Sequence, residues 1–428
     1  MSLDHITLSE IRRTKPDYTV FLPSSSDGSA GDSGNEHFLV FDGPDGSLMA
    51  VWTQSTYEGR PDQHIVFSRS EDRGETWSPP KTIAGGGSDP KTGRGMASWG
   101  FPLVSRSGRI YVLFNHHTGL NDIWSHTTGL MGGIYSDDFG AMWSGVEIVP
   151  MPRSSWDNPD PRYPPNWIVW QRPRRISHGE YYAGFTRWVS PAVRAPAPLD
   201  VWWAEASVVE FMRFPNIDED PDPSGIQLEF AMSDERALQV GLTGYPDVSV
   251  VQEPSIVRLP DGRLFCVMRT TTGSPYYTIS SDEGDEWADP RMLRYRDDGP
   301  PIKHPISPCP IYEVDPGCYV LFYHNHDGTF GPWGPRDTTF NRRPIYIARG
   351  EFREYARQPV WFSGPHFLMD NEGVPLGYGS GRSDLAMYSS LTFVDDEPVL
   401  WYPDRKFFLL GKKLPRKWLG EMMIYGKE

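Results

Sequence analysis

Apolar runs of strand length alternate with short polar turns along most of the chain. The runs at 37–41 (HFLVF) and 48–52 (LMAVW) flank an Asp45-Gly46 pair, and a third run follows at 64–68 (HIVFS). Two such runs joined by Asp-Gly predict a β-hairpin, because that pair supports the positive φ angles of a tight turn. Few segments show the apolar period of a helix. The pattern therefore predicts an all-β chain built from successive hairpins.

One motif, S-x-D-x-G-x-x-W, occurs three times, and each copy follows a predicted strand. The copies begin at Ser70, Ser136 and Ser280, so the first interval is 66 residues and the second, at 144, is close to two such intervals. In each copy the Ser and Asp can hydrogen-bond the backbone of a tight turn, and the Gly can adopt a positive φ. The closing tryptophans are expected to be largely buried between neighbouring sheets. Repetition at this spacing predicts a ring of similar blades, with one copy of the motif lost.

The motif resembles the Asp-box of the sialidase-like β-propellers, the BNR repeat superfamily. The resemblance implies a six-bladed β-propeller, with seven blades possible, as one domain over residues 1–428. A spare strand at 18–22 (YTVFL) is placed to complete the last blade and close the ring. The box aspartates Asp72, Asp138 and Asp282 are assigned to the turns rather than to catalysis. The predicted blades contain the strand runs within 37–77, 102–143, 167–209, 254–287, 306–362 and 388–410.

Composition excludes several classes of partner. The net charge of -15 argues against binding to nucleic acid or insertion at an anionic membrane, because both require a basic surface. A pocket of a few arginines for an anionic ligand remains compatible with this total. Aromatic residues make up 13% of the chain, which suits packing between blades and a sugar-binding face.

No cofactor or metal is expected. The three cysteines are too few and too irregularly spaced for a disulfide framework or a zinc site, and the HNHD segment at 324–327 lacks partner ligands at metal-binding spacing. The first residues lack the charged and apolar regions of a signal peptide. The sequence as written is therefore expected to be cytoplasmic, or secreted or periplasmic if a leader has been removed.

Three segments resemble the catalytic segments of sialidases. By that resemblance Tyr388 is the nucleophile, Glu253 polarises its hydroxyl, and Arg269 is one of the arginines that bind the sugar carboxylate. A further such arginine is assigned to Arg343 in preference to Arg342. This set is chemically coherent, because a phenol with a pKa near 10 needs an adjacent carboxylate to take its proton. A guanidinium also matches a planar carboxylate better than an ammonium does.

Two parts of the sialidase pattern are altered. The general acid of those enzymes is an Asp in the loop before the first Asp-box, where this chain offers Asp62 and Glu58, and the choice between them stays open. The first of the three carboxylate-binding arginines is missing, because Glu36 or His37 stands at its place. The resemblance therefore covers the whole propeller and part of the active site.

Histidines supply a rival interpretation. His64, His116, His117 and His126 all lie in the first two predicted blades, and Tyr182 and Arg187 follow in the third. Some propellers of this kind are polysaccharide lyases, which neutralise a uronate with Arg and use His and Tyr for proton transfer. Others are rhamnosidase-like enzymes with a histidine-centred site. In the lyase alternative, His117 or His126 would act with Tyr182 and Arg187.

The favoured function is an exo-glycosidase that hydrolyses a terminal acidic sugar from a glycan substrate. The alternatives are a lyase or rhamnosidase-like enzyme acting on uronate-containing glycans, and a propeller that binds glycans through its aromatic face without cleaving them.

Overall fold

The predicted hairpins form six antiparallel sheets that surround a central channel as the blades of a β-propeller. This computed structural model describes residues 9–176, 179–194, 206–338 and 341–425. The six-bladed, all-β prediction is confirmed. Within the described residues, no helix has both the length and the apolar character needed to cross a membrane.

The first three blades follow each other along the chain, each with its first strand lining the channel. Blade 1 contains β2 Gly34–Asp42, β3 Leu48–Ser55, β4 His64–Ser70 and β5 Lys81–Ala84. Blade 2 contains β6 Ala97–Val104, β7 Ile110–His116, β8 Leu130–Ser136 and β9 Glu147–Val149. Blade 3 contains β10 Trp167–Ile168, β11 Arg174–Arg175, β12 Tyr181–Trp188, β13 Ser207–Phe214 and β14 Glu229–Met232.

A short hairpin of β15 Gly241–Leu242 and β16 Tyr245–Ser249 leads into the second half. Blade 4 contains β17 Val251–Arg258, β18 Leu264–Thr270, β19 Tyr276–Ser280 and β20 Arg291–Met292. Blade 5 contains β21 Ile311–Asp315, β22 Cys318–Tyr323, β23 Ile345–Phe352, β24 Val360–Phe362 and β25 His366–Met369. Blade 6 contains β26 Ser390–Val394, β27 Glu397–Asp404 and β28 Phe408–Lys413, followed by helix α1 Arg416–Gly420. Short 3-10 helices occur at Arg12–Thr14, Ile217–Glu219, Pro223–Gly225 and Asp234–Arg236.

The last blade takes its outer strand from the beginning of the chain. Strand β1 Tyr18–Phe21 pairs antiparallel with β28, with Tyr18 opposite Gly411 and Thr19 opposite Leu410. The apolar run predicted at 18–22 therefore lies in the sheet of blade 6, and the ring is joined by hydrogen bonds between its first and last strands.

The three Asp-boxes form the turns between the third and fourth strands of blades 1, 2 and 4. In the first box the Gly74 amide donates to Ser70 Oγ at 2.7 Å, and the Thr76 amide donates to Asp72 Oδ1 at 2.8 Å. The corresponding bonds recur around Asp138 and Asp282. All three aspartates therefore hold turn backbone, as the motif chemistry predicts.

The closing tryptophans differ in burial, contrary to the expectation that all three are largely buried. Trp287 is 7% exposed, because it stacks on Phe211 of blade 3 with a ring separation of 4.6 Å. Its Nε1 donates to the Tyr182 hydroxyl at 2.9 Å. Trp77 and Trp143 are only partly buried, with each Nε1 bonded to a carbonyl of its own turn. Only the box of blade 4 thus inserts its tryptophan fully between blades.

Trp287→Ala is expected to lower the free energy of unfolding by about 3–5 kcal/mol, because it removes a buried aromatic that joins two blades. Chemical denaturation followed by far-UV circular dichroism measures the loss. Trp143→Ala is the matched control, and loss of its partly buried ring should cost less stability. Equal losses for both variants would contradict the assignment of Trp287 as the inter-blade wedge.

Candidate active site

A cavity of about 380 Å³ lies at one mouth of the channel and receives side chains from all six blades. Its carboxylates are Glu58 and Glu253, and its guanidiniums are Arg269, Arg342 and Arg382. The aromatic walls are Tyr57, Trp99, Trp124 and Trp188, and Tyr388 and His126 also face the cavity. Charged groups among aromatic side chains are typical of a site that binds sugars, since aromatic rings cover their apolar faces.

Tyr388, Glu253 and Arg269 meet in this cavity although they come from two blades and are far apart in sequence. The Tyr388 hydroxyl donates to Glu253 Oε1 at 3.0 Å. Arg269 Nη1 lies 3.1 Å from the Tyr388 oxygen and 2.8 Å from Glu253 Oε2. The structure therefore brings together three of the residues that the sialidase resemblance singled out.

A β-bulge aims Glu253 toward the channel. The pairing of β17 with β18 shifts register between Gln252 and Ser255, and Glu253 itself has a φ of 52°. The same bulge occurs in blades 1 and 2, where His37 has a φ of 54° and Trp99 a φ of 57°. A positive φ in a residue other than glycine is uncommon, and bulges beside functional sites re-aim side chains. His37 is thus the blade 1 counterpart of Glu253.

Burial has the largest effect on the pKa values of Glu253 and Tyr388. It raises the pKa of Glu253, and the nearby charges of Arg269 and Arg342 offset only part of that rise. Burial also raises the pKa of Tyr388, while Arg269 acts in the opposite direction. A carboxylate with a raised pKa is a stronger base toward the phenol, and Arg269 stands where a developing phenolate would need a positive charge.

The arginines are arranged differently from the sequence prediction. The guanidinium of Arg269 is already hydrogen-bonded within the protein, because its Nε and Nη2 both donate to Gln252 Oε1, at 3.1 and 2.6 Å. Arg343 lies outside the cavity and pairs with Asp370, its Nε donating at 2.8 Å. Arg342 lines the cavity instead and donates through Nε to the Ile306 carbonyl at 2.9 Å. The preference for Arg343 over Arg342 is therefore corrected.

Neither candidate acid is placed as a proton donor. Glu58 lines the cavity, where its Oε2 accepts bonds from Lys406 Nζ at 2.6 Å and Arg382 Nη1 at 2.8 Å. Burial raises the pKa of Glu58, but Lys406 and Arg382 outweigh it and hold that pKa well below its usual range. Asp62 lies outside the cavity and is exposed to solvent. Its Oδ2 accepts a hydrogen bond from the Thr56 amide at 2.9 Å.

The place of the missing arginine is occupied by a buried ion pair that sequence reasoning did not find. Glu36 Oε2 lies 2.9 Å from Lys406 Nζ, and both side chains are 4% exposed. Burial raises the pKa of Glu36 to about 7. Lys406 Nζ is also 4.9 Å from the centre of the Tyr388 ring. In the sequence, Lys406 is one charged residue of a hairpin turn, and no local signal distinguishes it from a surface lysine.

The histidines do not form one cluster at the cavity. His126 lines it, and burial lowers its pKa to about 4, so the ring is neutral at neutral pH. His117 is buried away from the cavity, with Nδ1 2.8 Å from the Thr128 carbonyl oxygen. His64 contacts the Asp62 carbonyl through Nδ1 at 2.8 Å and lies outside the cavity.

The other members of the lyase set serve the packing of blade 3. The Tyr182 hydroxyl donates to the Gly284 carbonyl at 2.9 Å within the interface between blades 3 and 4. Arg187 is fully buried and pairs with Asp157 and Glu210, each at 2.6 Å. Of the residues proposed for a uronate lyase, only His126 faces the cavity, so the structure does not assemble that set.

Comparison with known proteins gives one family and a shared fold. A family model described as a BNR repeat-like domain matches residues 46–300. No curated protein sequence matches the chain. A Hadza microbial sialidase, Hz136, is similar in structure, with a TM-score of 0.60, 15% identity, and coverage of 90% of this chain and 66% of that one.

Two further solved structures resemble the whole propeller. The intramolecular trans-sialidase from Ruminococcus gnavus has a TM-score of 0.57 and 13% identity, covering 94% of this chain and 98% of that one. A protein of unknown function from Dyadobacter fermentans has a TM-score of 0.58 and 12% identity, covering 93% and 97%. These identities establish the shared fold only. Because the family model matches more than half of this chain, the chain belongs to the BNR repeat-like family of sialidase-like β-propellers.

Proposed function

We propose that this protein is a glycoside hydrolase that removes a terminal sugar from a glycan, with Tyr388 as nucleophile. One observation carries the proposal: the Tyr388 hydroxyl lies 3.0 Å from Glu253 and 3.1 Å from Arg269 in a cavity that could hold a sugar. A nucleophile, a base and a charge that stabilises the phenolate are thus within direct contact. The sialidases that share the fold support the same class of reaction.

The reaction would proceed in two displacements. Glu253 takes the phenol proton as the Tyr388 oxygen attacks the anomeric carbon, and the bond to the aglycone oxygen breaks. The aglycone leaves with the bonding electrons and takes a proton from water. A water molecule then attacks the same carbon and the Tyr388 oxygen departs as phenolate. Glu253 returns its proton to the phenolate, and the attacking water releases a proton to solvent, which replaces the one that the aglycone took. Two inversions at one carbon retain the anomeric configuration.

A carboxylate on the substrate would be bound mainly by Arg342. Among the described residues, no carboxylate pairs with Arg342, whereas Arg382 is held by Glu58 and Asp384 and Arg269 is held by its own network. One guanidinium binds a carboxylate less tightly than three do. We therefore expect a terminal uronic or less charged sugar to be preferred to a sialic acid.

The leaving group should matter strongly, because neither candidate acid, Glu58 or Asp62, is placed to protonate it. Aryl glycosides, whose phenoxide leaves without protonation, are expected to react at least about a hundredfold faster than alkyl glycosides of the same sugar, since general acid catalysis contributes about 10²–10⁴-fold. A panel of aryl and alkyl sialosides, uronides and neutral glycosides, assayed for kcat/KM, tests both expectations.

The panel also separates the competing functions. Efficient cleavage of alkyl α-sialosides would contradict two expectations: that no general acid protonates the leaving group, and that sialic acids are poor substrates. New ultraviolet absorbance from an unsaturated uronate would identify a lyase, and binding without turnover would identify a glycan-binding propeller. A fluorinated sugar that traps the glycosyl-enzyme should label Tyr388 in peptide mass spectra, and labelling of another residue would exclude this mechanism.

Removal of the charge at Arg269 should shift the acidic limb of the pH profile of kcat/KM to higher pH. Glu253 must be ionised to act as base, and Arg269 favours its ionised form. In Arg269→Met the pKa of Glu253 should rise further, so kcat/KM should begin to fall at a higher pH than in the wild type. Arg343→Gln is the control, because that guanidinium is outside the cavity. A limb that stays in place would exclude Glu253 as the base.

A further inference from the structure

A second cavity of about 490 Å³ occupies the channel on the far side of the active-site floor. The same two chain segments line both cavities. Ser389, the neighbour of Tyr388, lines the second cavity, and so does Ile256, three residues after Glu253 in β17. Because a strand advances about 3.3 Å per residue, the second cavity lies roughly 10 Å further along the channel.

This cavity concentrates positive charge in an acidic protein. Arg172, Arg174 and Arg175 line it, and Glu313 is the carboxylate among its lining residues. Arg175 is neutralised by Asp218, with Nη2 to Oδ1 at 2.7 Å. Arg172 and Arg174 differ, because no carboxylate of the described residues lies within ion-pair distance of either.

The contacts of these two arginines leave donors for a ligand. Arg174 Nη1 donates to the Ile256 carbonyl at 2.8 Å, which is a neutral acceptor. The Arg172 guanidinium carbon lies 5.7 Å from the centre of the Phe41 ring. Burial lowers the pKa of Arg174, Glu313 offsets part of that effect, and the charge of Arg172 adds to it. Two guanidiniums therefore repel each other in a partly dehydrated cavity where Glu313, which is beyond ion-pair distance, compensates their charge only in part. An anion would stabilise this arrangement.

We propose that the second cavity binds an oxyanion, a phosphate or sulfate group held between Arg172 and Arg174. Guanidinium groups present paired N–H donors that match the oxygens of these ions, which explains the choice of arginine over lysine at both positions. The Gln171 amide and the Tyr312 hydroxyl lie in the same lining and add neutral polar groups around the anion. The group can arrive as the free ion or as the ester of a sugar.

Isothermal titration with inorganic phosphate and sulfate, at constant ionic strength set with chloride, tests the site. The reference protein is Arg342→Gln, so that the active site offers no uncommitted guanidinium. In this background Arg172→Gln and Arg174→Gln should each weaken binding about 10- to 100-fold, as expected for the loss of a charge-assisted contact. Arg291→Gln, an exposed arginine of β20, should leave the affinity unchanged.

Two outcomes would overturn the proposal. One is no binding of either ion up to tens of millimolar, and the other is binding that is the same in the Arg172→Gln and Arg174→Gln proteins as in the reference. Thermal denaturation of each variant shows that it is folded. A third arm uses galactose 6-sulfate: tighter binding than sulfate assigns the site to a sugar ester, and equal binding assigns it to the free ion. Neither result depends on whether Tyr388 is a nucleophile.

Discussion

Tyr388→Phe is expected to lower kcat/KM for an aryl glycoside by at least about a thousandfold, because the attacking oxygen is removed while the ring stays. The ring packs against Trp99 and Trp170, with centroid distances of 5.5 and 6.2 Å, and phenylalanine keeps those contacts. Glu253 loses one hydrogen bond but remains paired with Arg269. The cost in stability should therefore be about 1 kcal/mol, as for one buried hydrogen bond.

The control for this change is Tyr402→Phe in the same blade. Tyr402 is also buried, and its hydroxyl donates to Thr14 Oγ1 at 2.8 Å, away from the cavity. Its removal should cost similar stability and leave kcat/KM unchanged. If Tyr388→Phe keeps substantial activity while remaining folded, the phenol is not the nucleophile.

Lys406→Met is expected to lower the free energy of unfolding by about 3–5 kcal/mol, the usual cost of removing one partner from a buried ion pair. Lys406 lies 2.9 Å from Glu36 and 2.6 Å from Glu58, so the substitution leaves two carboxylates without their shared cation. Loss of the cation raises the pKa of both. The deficit should be large at neutral pH and should shrink as falling pH protonates them, which thermal denaturation at several pH values measures.

A double variant distinguishes electrostatics from packing. Glu36→Gln combined with Lys406→Met removes one unpaired carboxylate and should recover part of the stability lost by Lys406→Met alone. Lys406→Arg keeps the charge and should be closer to the wild type. If the double variant is as unstable as the sum of both single changes, Glu36 and Lys406 are not coupled and the ion pair is not responsible.

Features encoded locally could be predicted from the sequence. The Asp-box turns depend on Ser, Asp and Gly at fixed offsets, and the hairpins depend on alternation of apolar runs with turn residues, so both can be recognised within a few residues. The closure of blade 6 by the strand at 18–22 could be inferred because one strand was left over. Tyr388, Glu253 and Arg269 were found by resemblance to sialidase segments, and the structure places them in contact.

Features that depend on long-range geometry could not be predicted. Arg342 and Arg343 are adjacent, and which of them faces the cavity depends on how the segment before β23 enters the blade. Tyr182 and Arg187 suit a lyase by residue type. The partner of Tyr182, Gly284, becomes evident only when blades 3 and 4 are packed, and the partner of Arg187, Glu210, only when β12 pairs with β13. Lys406 was missed because a charged turn in a hairpin is ordinarily solvated.

Closure of the ring has a consequence for biosynthesis. Strand β1 cannot find its partner β28 until almost the whole chain has left the ribosome, and Glu36 must wait equally long for Lys406. Until blade 6 has been made, blade 1 can pack against blade 2 only. Tyr388 also arrives late, long after Glu253. A chain that stops before blade 6 lacks both Tyr388 and Lys406, so the candidate active site is complete only when the last blade has formed.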